Sequence, residues 1–334
     1  MFPYPLAVCD IGGTNARFAY ARALNEPLIH LSQANTARYP DLASACAGVF
    51  ASAGVSPASL IACAAGPVIN RTVRLTNIHW TIDGPEVAHS LGLTQGLLLN
   101  DFEALALTLP ALKADSVLMI GTQDPLKSNG QTRLVLGPGT GLGVAALVEA
   151  DGRYLVLPSE AGHTEFAPAD KEETEIFALV EKSLGRLTAE MLISGPGLVR
   201  LYKARQLVHG ASHPDEVSQP QDITRLALAD SLGVQAAAIR HFWKLTARFA
   251  GDMALAFSAG GGVTLAGGIL PKLTRFLDQE EFRSAFANKP PMAKLLERIH
   301  TQLLVNEGAV LEGMRSLADR PDLYHLGFSE RYWL

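Results

Sequence analysis

The sequence predicts an α/β protein of two domains, each a mixed sheet flanked by helices, set around an interdomain cleft. Length is the first reason: 334 residues suffice for about two domains of ordinary size. Strand-like apolar runs and helical stretches alternate along the chain, which is the signature of layered α/β architecture. The order of elements also recurs, with a hairpin-rich sheet followed by alternating helices and strands in each half.

In the first half, LAVCDI, ARFAYARA and LIHLSQ are separated by turn residues and predict a three-strand hairpin sheet. A helix is expected over about 41–53, starting after Pro40 and ending near Gly54. The strand LIACAAG follows, then a hairpin over 68–75, a short helix over 85–91 and the strand LLLND. The second half opens with SVLMIG and TRLVLG. They lead into GVAALVEADGRYLVLP, where Asp151-Gly152 is a hairpin-type turn between alternating runs. Helices follow, including a long one from about 229 to 257, then the strand VTLAGG, a helix, the strand QLLVN and a last helix over 308–318. Residues 210–221 are polar, contain two prolines and read as a surface loop.

Composition narrows the functional classes. With 48% hydrophobic and 18% charged residues the chain is globular rather than disordered. A formal net charge of -5 gives no electrostatic case for nucleic acid or an anionic membrane. Cys9, Cys46 and Cys63 are odd in number and lack metal-ligand spacing, so buried free thiols in a reducing cytosol are expected. The N-terminus does not read as a secretory signal. No apolar run approaches the ~18–20 residues of a membrane span. A cytoplasmic protein is expected.

Three glycine clusters lie beside apolar strands: DIGGTNAR (10–17), LGPGTGLG (136–143) and LAGGI (265–269). Glycine lets backbone N–H groups approach a phosphate closely, and Thr14 and Thr140 add hydroxyl donors. A P-loop is excluded, because the chain contains no Gly-Lys pair. A dinucleotide fingerprint fits Gly137 and Gly139 but puts Leu142 at its last position, and the following VAALVEADGRYLVL turns as a hairpin instead of opening a helix. Tight hairpins alone could explain one cluster. Two at matching places in similar halves suggest a pair of loops gripping one nucleotide. Asp10, at a strand end beside the first loop, is placed to hold Mg²⁺ through water.

DIGGTNAR, LGPGTGLG and LAGGI resemble the two phosphate motifs and the adenosine motif of the sugar kinase, actin and heat-shock chaperone superfamily. TNIHW, LNDFEALA, SEAGHTEFAP and ISGPGL further resemble the bacterial glucokinases of the non-repressor type, in order and over nearly the whole chain. The resemblance implies two ribonuclease H-like domains, residues 1–110 plus 306–334 and residues 111–305. It implies ATP and Mg²⁺ as cofactors, with Asp10, Gly12, Gly13, Thr14 and Asn15 in the first phosphate loop and Asp10 as the metal ligand. Gly137, Gly139, Thr140 and Gly141 would form the second loop, and Gly267 and Gly268 the adenosine motif. The implied reaction is ATP-dependent phosphorylation of D-glucose to glucose 6-phosphate, by a homodimer. Asn100, Asp101, Glu160, His163 and Glu190 would bind the sugar, with Asp101 as general base on the hydroxyl at carbon 6.

Each of these residues has a simpler competing role. Asp101 would be the N-cap of FEALALTL, His163 a solvated histidine and Glu190 an exposed helical glutamate. Another hexose, or a non-catalytic nucleotide-binding sensor on the same fold, remains an alternative. A cysteine-rich zinc motif is excluded by the lack of any cysteine after Cys63, and a DNA-binding repressor is not expected.

Overall fold

The computed structural model describes residues 2–75, 78–125, 130–306, 308–325 and 332–333. Strands β1 (Leu6–Ile11), β2 (Asn15–Ala21), β3 (Ile29–His30) and β4 (Ala34–Asn35) come first, then helix α1 (Leu42–Ala53) and strand β5 (Ser59–Ala64). Next are β6 (Thr72–Arg74), β7 (Thr81–Asp83), α2 (Gly84–Leu91), β8 (Gln95–Asn100) and α3 (Asp101–Thr108). The strands β9 (Val117–Ile120), β10 (Thr132–Pro138), β11 (Leu142–Ala150) and β12 (Arg153–Ser159) follow. Helices α4 (Lys171–Leu184), α5 (Ala189–Leu192), α6 (Gly195–Val208), α7 (Pro220–Ala229) and α8 (Val234–Ala256) lead to β13 (Val263–Leu265). The chain closes with α9 (Gln279–Ala287), α10 (Ala293–Leu296), β14 (Thr301–Leu304), α11 (Ala309–Asp319) and β15 (Tyr332–Trp333).

One sheet has the order β15-β8-β5-β1-β2-β3, with β4 also pairing β2; another has the order β12-β11-β10-β13-β14-β9. Without the edge strands β15 and β9, the two orders are the same: β3-β2-β1-β5-β8 matches β12-β11-β10-β13-β14. β1, β5 and β8 run parallel, as do β10, β13 and β14, while each added edge strand is antiparallel to its neighbour. The recurrence read from the sequence is therefore a duplicated sheet.

β1 and β5 are buried at every position, as parallel strands covered on both faces must be. The two-residue period still separates their faces. Ala7, Cys9 and Ile11 join a core with Leu42, Cys46 and Phe50 of α1, which leaves Asp10 on the opposite face. A second core is built on α8, where Phe242, Trp243 and Phe249 pack with Phe282 and Phe286 of α9. The backbone groups into two units, Met1–Lys113 with Leu147–Pro158 and Asn306–Leu334, and Ala114–Ala146 with Ser159–Val305. The arm Leu147–Pro158, which the sequence reading put in the second domain, groups with the first unit. There Arg153 donates to the Tyr324 carbonyl at 2.9 Å and Tyr154 lies against the Tyr324 ring.

Several expectations need correction. The hairpin over 68–75 is confined to one tight turn, where Ile69 and Thr72 exchange backbone hydrogen bonds at 2.9 Å around Asn70 and Arg71; beyond it β6 pairs with β7, aligning Val73 with Ile82. LIHLSQ supplies only the two residues of β3. The long helix expected over 229–257 is α8, which starts only at Val234, after a turn in which Asp230 Oδ1 accepts from Leu232 N–H at 3.0 Å and Gly233 stands at the N-cap. The loop over 210–221 ends where Pro220 opens α7. The Asp151-Gly152 turn is as expected, with φ of 52° and 72°, the left-handed pair a type I′ hairpin needs.

Candidate active site

The first unit brings two carboxylates to the ends of parallel strands. In register, Asp10 of β1 lies opposite Cys63 of β5, and Cys63 opposite Leu99 of β8. Asp101 follows directly as the first residue of α3. Both aspartates thus reach the carboxyl edge of the sheet, where open α/β folds bind ligands.

The capping role expected for Asp101 belongs to Asn100. Its Oδ1 accepts from Phe102 N–H at 2.9 Å and Glu103 N–H at 3.4 Å. Glu103 returns a bond from Asn100 N–H at 2.9 Å, completing a capping box. Asn100 Nδ2 also donates to the Gly66 carbonyl at 3.1 Å. The Asp101 carboxylate, with one oxygen 3.0 Å from Phe102 N–H, is therefore not required to start the helix. Burial, then the negative charge of Asp10, pushes its pKa from 3.8 to about 6, against backbone hydrogen bonds that pull it down.

Asp10 is 8% exposed and is gripped from β2 by Arg17, whose Nε and terminal nitrogen donate to Oδ2 at 3.1 and 2.7 Å. The Cys63 thiol lies 3.5 Å from Oδ1. The glycine turn beside it is closed by Gly12 N–H to the Asn15 carbonyl at 3.0 Å. Thr36 pins the same turn through the Thr14 and Gly13 carbonyls at 2.9 and 3.1 Å. Among the described residues no group of three or more His, Cys, Asp or Glu side chains could hold a metal. One carboxylate beside a glycine turn nonetheless suits Mg²⁺, which takes few carboxylates and keeps waters and phosphate oxygens. Burial pushes the Cys9 and Cys63 thiols well up, so Cys9 is the inert buried thiol expected.

The second unit holds the other glycine loops. A Cβ on Gly137 would sit 1.9 Å from the Ala266 carbonyl oxygen, and one on Gly267, at φ +91°, 2.5 Å from that of Pro138. The ends of β10 and β13 approach so closely that only glycine fits there. Gly139 and Gly268 differ: a Cβ on either meets nothing within 4 Å. Their bare faces leave room for a ligand rather than for protein. Gly139→Ala and Gly268→Ala are accordingly expected to unfold at the wild-type denaturant midpoint, within ~0.5 kcal/mol, while raising KM for ATP. Steady-state kinetics beside equilibrium unfolding checks both halves of this expectation.

The same unit carries the three remaining sugar-binding candidates. His163 ends a 3₁₀ turn, Ala161–His163; its Nε2 is 3.7 Å from Glu160 and its Nδ1 3.9 Å from Glu190. Glu160, His163 and Glu190 are thus brought together, and His163 remains more than half exposed. The segment after the turn is anchored at Glu173, 1% exposed, which accepts Ala169 N–H at 2.8 Å. Arg248 pairs with Glu173, donates to the Ala167 carbonyl at 2.7 Å and lies 4.9 Å over the Phe166 ring.

Sequence reasoning missed Arg17, Thr36, Glu173 and Arg248. Arg17 was within reach, because a hairpin closed at Gly12 puts it opposite Asp10. The Asn100–Glu103 spacing is also a readable capping-box signature. Glu173 and Arg248 are 75 residues apart, and no local pattern joins them. Thr76 and Asn77 of the TNIHW motif lie outside the described residues.

A desolvated aspartate at a strand end can take a proton from a hydroxyl, open glycine turns can receive phosphates, and a duplicated α/β sheet is the architecture of the two-domain sugar kinases. A family model described as Glucokinase matches residues 7–321. The chain belongs to the glucokinase family. It is 38% identical to a glucokinase of Rhizobium etli over 99% of this chain and 96% of the relative. Among solved structures, a glucokinase from an Antarctic psychrotroph superposes with TM-score 0.80 at 29% identity, covering 94% and 98% of the two chains. A glucokinase from Balamuthia mandrillaris, solved in complex with glucose, has the same fold, with TM-score 0.78, 22% identity and coverage of 94% and 93%.

Proposed function

We propose that this protein transfers the γ-phosphoryl group of ATP to the carbon-6 hydroxyl of D-glucose, giving glucose 6-phosphate and ADP, with Asp101 as general base. The observation that carries the base assignment is the Asp101 carboxylate at a strand end, relieved of capping by Asn100 and with its pKa raised to about 6. A base of that strength is ionised at neutral pH yet basic enough to accept a hydroxyl proton as the oxygen attacks. Glu160, His163 and Glu190 hold the ring hydroxyls, since a carboxylate accepts from more than one hydroxyl. Asn100 keeps its amide for the helix and reaches the sugar only with what remains of its Nδ2 donors.

Gly137, Gly139, Thr140 and Gly141 receive phosphate oxygens at one loop, and Gly12, Gly13, Thr14 and Asn15 at the other. Gly267 and Gly268 take the adenosine. Asp10 would hold Mg²⁺ through water, with Arg17 fixing the carboxylate, and the ion would neutralise phosphate charge during transfer. No helix among the described residues is long and apolar enough to cross a membrane. The three cysteines are buried free thiols, which suits the reducing cytosol proposed as its compartment.

A panel of hexoses with ATP and Mg²⁺, followed as ADP release and sugar phosphate formation, tests this reading. Glucose is expected to give the highest kcat/KM. Higher kcat/KM with another hexose would move the assignment to that sugar, and ATP hydrolysis indifferent to all of them would end the kinase reading.

A further inference from the structure

We propose that Glu190 is shared between sugar and nucleotide: one carboxylate fixes the backbone of the second phosphate loop and also faces the sugar. The proposal rests on the sugar-kinase reading of this site and adds to it a coupling inside the second unit. Glu190 Oε2 accepts a hydrogen bond from Leu142 N–H at 2.9 Å, and Leu142 is the residue directly after Gly141 in the phosphate loop. Its Oε1 points the other way, 3.9 Å from His163 Nδ1.

Three further contacts lock this arrangement. A Cβ on Gly141 would stand 2.5 Å from Glu190 Oε2, so a side chain there would push the carboxylate aside. A Cβ on Gly162, in the turn that ends at His163, would stand 2.2 Å from the Leu142 carbonyl oxygen. The Leu142 residue is therefore held at its N–H by Glu190 and approached at its carbonyl by the backbone of the sugar-binding turn, closely enough that a side chain at Gly162 would not fit. Ala189 N–H bonds the Thr164 carbonyl at 3.0 Å, tying the start of α5, where Glu190 sits, to the end of that same turn. A glutamate that only accepted sugar hydroxyls would need no bond to the phosphate loop.

The consequence is a crossed pair of effects. A change in the phosphate loop at Gly141 should weaken sugar binding with no nucleotide present, and a change at Glu190 should weaken nucleotide binding with no sugar present. Moving the carboxylate or freeing a backbone N–H forfeits a charge-assisted hydrogen bond, which is large enough to read in a titration.

The test is calorimetric titration of the full chain with glucose alone, and separately with a non-hydrolysable ATP analogue plus Mg²⁺. Gly141→Ala is expected to bind glucose about tenfold more weakly, and Glu190→Ala to bind the analogue about tenfold more weakly. In Glu190→Gln the amide oxygen can still accept from Leu142 N–H. That variant should keep analogue affinity within about threefold of wild type while glucose affinity stays reduced. Thermal unfolding of each unliganded variant shows that it is folded, and Glu190→Gln serves as the conservative variant should Glu190→Ala not fold. Wild-type glucose affinity in Gly141→Ala, or equal analogue affinity in Glu190→Ala and Glu190→Gln, overturns the coupling. If the wild-type chain bound no hexose, the sugar-kinase reading would fail, and the analogue titrations would still decide the loop contact.

Discussion

Asp101→Asn is expected to lower kcat by about 10²–10⁴-fold while glucose still binds and the protein becomes more stable. The kinetic loss follows from removing the group that accepts the hydroxyl proton. The stability gain follows from the same burial that tunes it. The Asp101 pKa rises from 3.8 to about 6 on folding, so the folded state disfavours the ionised form. With respect to this group, stability is highest below about pH 4, falls as pH rises toward 6 and stays reduced above it. The ionised carboxylate then costs up to about 3 kcal/mol. Asparagine removes that charge, and its Oδ1 can still accept from Phe102 N–H. Denaturant unfolding at pH 8 should therefore show Asp101→Asn more stable by about 1–3 kcal/mol, with the difference gone near pH 4. A purely structural aspartate would give the reverse: lower stability and near-normal turnover.

The second large effect is at Arg248. Arg248→Ala leaves the Glu173 carboxylate, 1% exposed, without its guanidinium partner, and breaking a buried pair from one side costs about 3–5 kcal/mol. Burial by itself would raise the Glu173 pKa. The His241 imidazole 3.5 Å away, the hydrogen bond from Ala169 N–H and the charge of Arg248 outweigh it and hold the value at about 2. That stabilisation is fully present above about pH 4.5 and is lost as pH falls through 2. Without Arg248, acid unfolding should move to higher pH. Because Arg248 also donates to Ala167 and covers Phe166, the segment after His163 loses an anchor. KM for glucose should rise more than kcat falls. Equilibrium unfolding across pH and steady-state kinetics together check both outcomes.

Much of this was legible in the sequence because its signals are local. Glycine turns between alternating strands, the Asp151-Gly152 hairpin and the apolar runs of β1, β5 and β8 each declare themselves within ten residues. Their recurrence reveals the duplicated sheet. What stayed hidden depends on distant packing. Strand β15 has two residues and no period; it exists because Trp333 lies over Gly84 and Gly96, where a Cβ would come within 2.2 and 2.1 Å of the indole. The start of α8 reads as 229 instead of Val234 because the apolar pattern runs on through Leu228 and Leu232, although Asp230 and Gly233 are ordinary cap residues. At the site, Asp10 was readable from its strand end beside a glycine turn, whereas the roles of Asp101 and Glu190 followed from the resemblance to the glucokinases. Only the structure assigns the cap to Asn100, the partner of Asp10 to Arg17, and the bond from the phosphate loop to Glu190.

Single-turnover phosphoryl transfer from ATP to glucose, measured from pH 4.5 to 8.5 in wild type and Asp101→Asn, tests the role of Asp101 most directly. Wild-type rates should fall below about pH 6 with a limiting slope of one, and the residual rate of Asp101→Asn should lack that ionisation. The same ionisation persisting in Asp101→Asn, at a wild-type rate, would mean that another group takes the proton.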